Sequence, residues 1–395
     1  MDWGNLDFEG SLIQISYRRL QSLRTNCSAN PKVTSLYHMK FKILASLLFL
    51  LCSFGILYSQ NLNKPKLDSL FNALSESNKA MGSVALSKNG KIIYSKAIGY
   101  SLISDKEKIF ATTNTKYRIG SITKMFTAVM IFQLVEEGKI KLETTLNNYF
   151  PKIPNADKIT IGNLLNHRSG LYNFTNDSLF GTRFEQSITE DEMLNTISKF
   201  KVDFLPNENA AYSNTNYVLL GYILERICKM PYKEILQERI VSKIGLTNTY
   251  YGGATNTKNS ESYSYNFVSE KWKQHWETDM SIPGGAGAIV STPTDLTKFM
   301  DALFSGKLIS EKSLTLMKTI TDGYGMGIFQ MPFYEKKTFG FSGQIDGFSS
   351  MLSYFPEDNL SVAYISNGEV SPIWNDIIAG VLLIYFNKKY SIPKY

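Results

Sequence analysis

Tyr117-Arg118-Ile119-Gly120-Ser121-Ile122-Thr123-Lys124, running on into Met125-Phe126-Thr127-Ala128-Val129-Met130-Ile131-Phe132, is the stretch on which the reading of this chain turns. Gly120 permits a sharp entry and Ser121 suits a helix N-cap or first turn. From Met125 to Glu137 neither Gly nor Pro interrupts the run, and Gly138 stops it. A helix starting here sets Ser121 and Lys124 one turn apart on one face, at the positive end of the helix dipole. A serine hydroxyl beside an amine is a nucleophile with a base, in S-x-x-K spacing. The spacing alone is weak evidence. Ser198-Lys199-Phe200-Lys201 repeats it in a charged segment with no apolar helix behind, and reads as a solvated helix end.

Composition bounds the answer loosely. The 395 residues can bury a sizeable core in one large or two modest domains, and 43% apolar with 19% charged residues is ordinary for a folded chain. The formal net charge is +7, but beyond residue 59 only 36 basic face 32 acidic residues. That scattered surplus argues against a nucleic-acid partner. Of three cysteines only Cys228 lies beyond residue 59, which leaves no disulfide framework and no cysteine metal site there.

Met39-Lys40-Phe41-Lys42 is a short basic region followed by the charge-free apolar run Ile43 to Tyr58 and then Ser59-Gln60. The pattern predicts a signal peptide over 39–59 with Ser59 before the cut, residues 1–38 as upstream sequence, and a secreted or periplasmic domain over 60–395. The competing expectation is a membrane anchor formed by 43–58, for which the run is short. Cys52, after Leu50-Leu51, is poorly set for lipid attachment.

Next, Lys66 to Ala80 reads as a helix with Leu67, Leu70, Phe71 and Leu74 on one face, and Gly82–Ser87 with Ile92–Gly99 as a hairpin turned at Asn89-Gly90. Residues 125 to about 268 read as mostly helical. Pro283-Gly284-Gly285-Ala286-Gly287 is a tight segment before a helix at Asp295–Phe304 that Ser291 or Thr292 can cap. Phe348–Phe355 and Leu360–Ser366 alternate as paired strands, and Ile373–Phe386 is a last amphipathic helix. The expected fold class is α/β in the α+β sense. It has one antiparallel sheet built from both chain ends (about 80–110 and 280–395), flanking helices, a helical insertion over about 125–270, and a site at their junction.

Tyr212-Ser213-Asn214 precedes an apolar helical run from Tyr217. Its hydroxyl can relay a proton and the Asn214 amide can hold a substrate carbonyl. Gly340-Phe341-Ser342-Gly343-Gln344-Ile345-Asp346-Gly347-Phe348 places small residues where a backbone can approach a ligand. With Ile159-Thr160-Ile161-Gly162-Asn163-Leu164-Leu165-Asn166-His167-Arg168-Ser169-Gly170-Leu171 and Gly284–Asp295, these elements stand in one order over about residues 80–368. In that order the chain resembles the serine β-lactamase and penicillin-binding protein superfamily, in its class C-like branch with D,D-peptidase and esterase relatives.

The resemblance implies a β-lactamase/transpeptidase-like fold and acyl transfer through Ser121, with Lys124 as base and Tyr212 as proton relay. It further implies Asn214, Ser342 and Gly343 at the substrate, and the backbone N–H groups of Ser121 and Gln344 as oxyanion hole. Neither metal nor organic cofactor is implied, and the partner is a small-molecule or peptide substrate. Cell-wall peptide, β-lactam and ester all remain open. His167 is implied to be part of a structural turn rather than a base, and no ligand spacing joins it to His275 in a zinc site. Phe341 stands where the family carries Lys, His or occasionally Trp, so it offers a substrate carboxylate no cation. In this register Lys337-Thr338-Phe339 is a decoy. Asn207 replaces a frequent Gly. A non-catalytic binding protein on the same scaffold is the alternative, favoured only by Phe341. The loops 173–186 and 252–274 carry no readable substrate code.

Overall fold

The structure, a computed structural model, describes residues 62–370 and 373–394. The segment 1–38, the basic and apolar run at 39–59, Cys27 and Cys52 lie outside the described residues. Helix α1, Lys64–Glu76, begins two residues before its expected start, with Pro65 in its first turn. Asn63 caps it by accepting the Lys66 N–H at 3.1 Å, and Leu67, Leu70, Phe71 and Leu74 form its buried face. Strands β1 (Ala80–Lys88) and β2 (Lys91–Ile98) form the expected hairpin. Asn89 and Gly90 both take the positive φ that a two-residue turn of this twist requires.

Helix α2, Thr123–Glu136, is buried on all sides from Thr123 to Leu134. Each large apolar side chain so buried contributes about 1.5–3 kcal/mol, and Phe126 stacks on Phe299 at 3.8 Å between centroids. Its internal polar groups are bonded: Thr127 Oγ1 donates to the Gly285 carbonyl and pairs with Tyr232 Oη, both at 2.6 Å. Helix α3, Asn214–Cys228, packs beside it, and α4, Pro293–Phe304, is capped by Thr292, which accepts the Asp295 N–H.

Strands β3 (Phe329–Gln330), β4 (Phe339–Ile345), β5 (Phe348–Phe355) and β6 (Leu360–Glu369) complete an antiparallel sheet of order β3-β4-β5-β6-β1-β2. The two chain ends meet in its interior, with Ala363 of β6 opposite Ala85 of β1. Alternation along β6 sends Leu360, Val362 and Tyr364 into a core shared with α1 and α5 (Ile373–Tyr385), and Ala363 and Ile365 into the larger core around α2.

Two ranges differ from expectation. The main sheet uses 80–98 and 329–369, narrower than 80–110 and 280–395. Gly99 at φ +71 turns the chain away, after which 100–103 and 108–110 pair with each other. The helical stretch ends at Ile244, where Gly245 at φ +65 stops it, and 265–268 with 271–274 form a separate hairpin.

Candidate active site

Ser121 lies in a single 3-10 turn, Gly120–Ile122, leading into α2. Ile122 holds the cap position and no side chain caps the helix, so of the two placements open to Ser121, N-cap or first turn, the structure has the turn. Instead Ser121 Oγ lies 2.6 Å from Tyr212 Oη and 3.0 Å from Lys124 Nζ. Two glycines make the placement sterically feasible. Gly120 has φ +50, and a Cβ on Gly343 would sit 2.2 Å from the Ile119 carbonyl and 2.9 Å from the Ser121 nitrogen. Strand β4 therefore runs its bare backbone against the serine turn, with Gln344 beside Gly120.

Lys124 is fully buried on the first turn of α2. Its Nζ donates to Asn214 Oδ1 and to the Ala286 carbonyl, each at 2.8 Å. Burial holds the amine well below the usual lysine range, because the ammonium loses its water. A neutral amine has two N–H groups and one lone pair. Two acceptors occupy the former, and the lone pair is left toward Ser121 Oγ. Burial likewise raises the Tyr212 phenol, with the Ser121 hydroxyl opposing, so it stays protonated and can donate to Ser121.

Asn214 is the first residue of α3. Its Nδ2 donates to Thr175 Oγ1 at 3.1 Å and its N–H to Asn173 Oδ1 at 2.9 Å. His167 stands behind Tyr212, its Nδ1 accepting the Ser213 N–H, rather than beside Ser121. Ser342 is exposed on β4, Gly343 is buried, and Phe341 is buried against Phe329 at 4.5 Å between centroids. Lys337 is exposed ahead of the strand, away from the residues that line the site. Asn207 takes φ +70, the left-handed region that Asn tolerates nearly as Gly does.

Two clefts meet at Ser121. One, of about 240 Å³, is lined by Phe174, Thr175, Phe184 and Trp276 together with Ile282 and Ile345. Phe184 and Trp276 stack at 6.0 Å. The other, of about 500 Å³, is lined by Tyr212, Tyr324, Phe329, Phe341, Ser342 and Trp374, and among the described residues no Lys, Arg or His lines it. Thr278 and Asp346 also line the first cleft, where buried Arg118 pairs with Asp346 and Glu277 at 2.8 Å each and with the Thr278 carbonyl, tying the β4–β5 turn to the segment that leads into the serine turn.

Sequence reasoning missed the aromatic wall and this ion-pair cluster. Only the exposed Trp276 in a polar loop gave a signal, since the others meet from positions up to 228 residues apart. Among the described residues no three His, Cys, Asp or Glu side chains are gathered as a metal site needs.

The beta-lactamase family model matches residues 67–383. The chain belongs to this family. It is 29% identical over 361 residues to a penicillin-binding protein of Bacillus subtilis strain 168, covering 84% of this chain and 78% of that protein. To the teichoic acid D-alanine hydrolase of Staphylococcus aureus it is 28% identical, over 75% of this chain and 74% of that one. The crystal structure of D-amino acid amidase from Ochrobactrum anthropi SV3 matches with a TM-score of 0.71 and 27% identity, over 82% of this chain and 98% of that chain. The protein is thus a serine hydrolase of the β-lactamase and penicillin-binding protein superfamily.

Proposed function

We propose that the protein is a secreted acyl-transfer hydrolase acting through an acyl-enzyme on Ser121. The observation that carries this reading is the contact of Ser121 Oγ with a fully buried Lys124 amine and the Tyr212 hydroxyl. Neutral Lys124 takes the serine proton as Oγ attacks. Tyr212 passes a proton to the departing group, and the same pair activates the water that releases the acyl group. The N–H groups of Ser121 and Gln344 serve as the oxyanion hole. Losing one such donor typically costs about 100- to 1,000-fold in turnover.

The substrate is an ester or amide that is uncharged where it meets Phe341, because that cleft offers a carboxylate no cation. The aromatic wall of the smaller cleft suits an apolar acyl side chain. The similarity to a teichoic acid D-alanine hydrolase and to a D-amino acid amidase supports this esterase- or amidase-like reading. Ser121→Ala should abolish covalent labelling by a fluorophosphonate, and a variant that labels at full stoichiometry overturns the nucleophile. An uncharged ester should be hydrolysed while a chromogenic cephalosporin is turned over weakly or not at all; efficient cephalosporin hydrolysis refutes the substrate class. Secretion is supported by the basic and apolar pattern at 39–59, and a mature N-terminus at Gln60 is its test.

A further inference from the structure

His167 is 2% exposed and takes φ +59, a left-handed conformation that is strained for histidine. The segment it serves, 211–213, has no strand or helix of its own, so its backbone N–H groups need outside acceptors. The His167 carbonyl accepts from the Ala211 N–H at 3.0 Å, and His167 Nδ1 accepts from the Ser213 N–H at 3.2 Å. Between them, the Tyr212 N–H goes to Tyr324 Oη at 3.2 Å. The imidazole also packs 4.7 Å from the Tyr212 ring, centroid to centroid.

The bonding settles the tautomer. Asn216 Oδ1 accepts from Ser169 Oγ, so its amide nitrogen faces His167 Nδ1 at 3.3 Å as a second donor. Nδ1 is thus an acceptor and Nε2 carries the proton, buried with no acceptor among the described residues. Burial holds the imidazole well below its usual range and keeps it neutral. A strained backbone and an orphaned N–H are tolerated here, while both amides flanking Tyr212 are held.

We propose that His167 is a positioning residue for Tyr212, clamping the backbone on both sides of it and backing its ring so that the phenol stays on Ser121. The inference rests on the acyl-enzyme reading above. Its consequence for acylation, which kcat/KM reads, is selective: only a leaving group that needs a proton depends on the clamp. An ethoxide leaving group needs that proton, whereas p-nitrophenolate and the fluoride of a fluorophosphonate leave without it.

The test compares ethyl butyrate with p-nitrophenyl butyrate, which give the same acyl-enzyme, in His167→Ala and His167→Asn. Asn keeps an acceptor at the position of Nδ1 and tolerates positive φ. In His167→Ala, kcat/KM for the ethyl ester should fall about 10- to 100-fold or more, part or all of a general-acid contribution. The p-nitrophenyl ester and the labelling rate should change less than about 3-fold, and His167→Asn should recover most of the loss. Should the Ala variant not fold, His167→Asn is compared with Tyr212→Phe. Near-native kcat/KM on all three probes in the Asn variant, set against a loss confined to the ethyl ester in Tyr212→Phe, supports the clamp, and an equal loss on all three probes in the Asn variant overturns it. Full ethyl ester turnover in a folded His167→Ala also overturns it. Labelling that persists in Ser121→Ala instead brings down the underlying reading.

Discussion

The segments Ser121–Lys124 and Ser198–Lys201 share S-x-x-K spacing and nothing else. Ser121 and Lys124 open a helix buried on all sides, with the amine sealed between Asn214, Ala286 and the serine. Ser198 ends the short helix Glu190–Ile197, where its hydroxyl donates to the Asn195 carbonyl at 2.9 Å, and Lys201 is exposed. A hydroxyl bonded to its own helix has no base beside it. Spacing brings the two groups within reach; desolvation makes one of them a base.

The comparison can be broken in several ways. The largest effect is expected on covalent labelling, where Ser121→Ala removes all signal and Ser198→Ala none. Labelling lost from Ser198→Ala would reverse the assignment. Next, Lys124→Met should cut kcat/KM by about 100- to 10,000-fold, the span of general-base contributions. Thermal melting should show the fold kept or strengthened, since an apolar chain of similar length replaces a buried amine. Lys201→Met should leave turnover unchanged.

The smallest effect sharpens the role of burial. Lys124 works as a base only when neutral, so kcat/KM rises with pH through its pKa, which burial places below the ordinary lysine range. Asn214→Asp sets a carboxylate where Oδ1 now lies 2.8 Å from Nζ and stabilises the ammonium. The rising limb of the pH profile should therefore move to higher pH by about 1–3 units. A limb that stays put means that another group titrates.

Local patterns were legible because they are local. The apolar face of α1 repeats at helical spacing, the Asn89-Gly90 turn needs two positive φ angles, and strands β5 and β6 alternate. Ser121, Lys124, Tyr212 and Asn214 were legible as types at positions, and the structure brings all four within one hydrogen-bonded group. Not legible were the pairing of Arg118 with Asp346, the wall of Phe174, Phe184 and Trp276, and the acceptor that Ala286 offers Lys124. Each joins segments whose sequence separation leaves no periodic trace. Which of the two placements Ser121 would take, cap or turn, was not legible for a related reason: its hydroxyl goes to Tyr212, far along the chain, and to the buried Lys124 amine instead of the helix end.

By itself the sequence determined that a serine and a lysine stand one turn apart before a buried helix, and that no cation occupies position 341. Only the tertiary structure decided which serine–lysine pair is desolvated and what walls surround it. It also decided that His167 faces the backbone around Tyr212 and not the nucleophile. The physical reason is that spacing is a property of a few consecutive residues, whereas burial, the shift in a lysine's basicity and the shape of a cleft are set by atoms that meet only when the chain has closed its sheet.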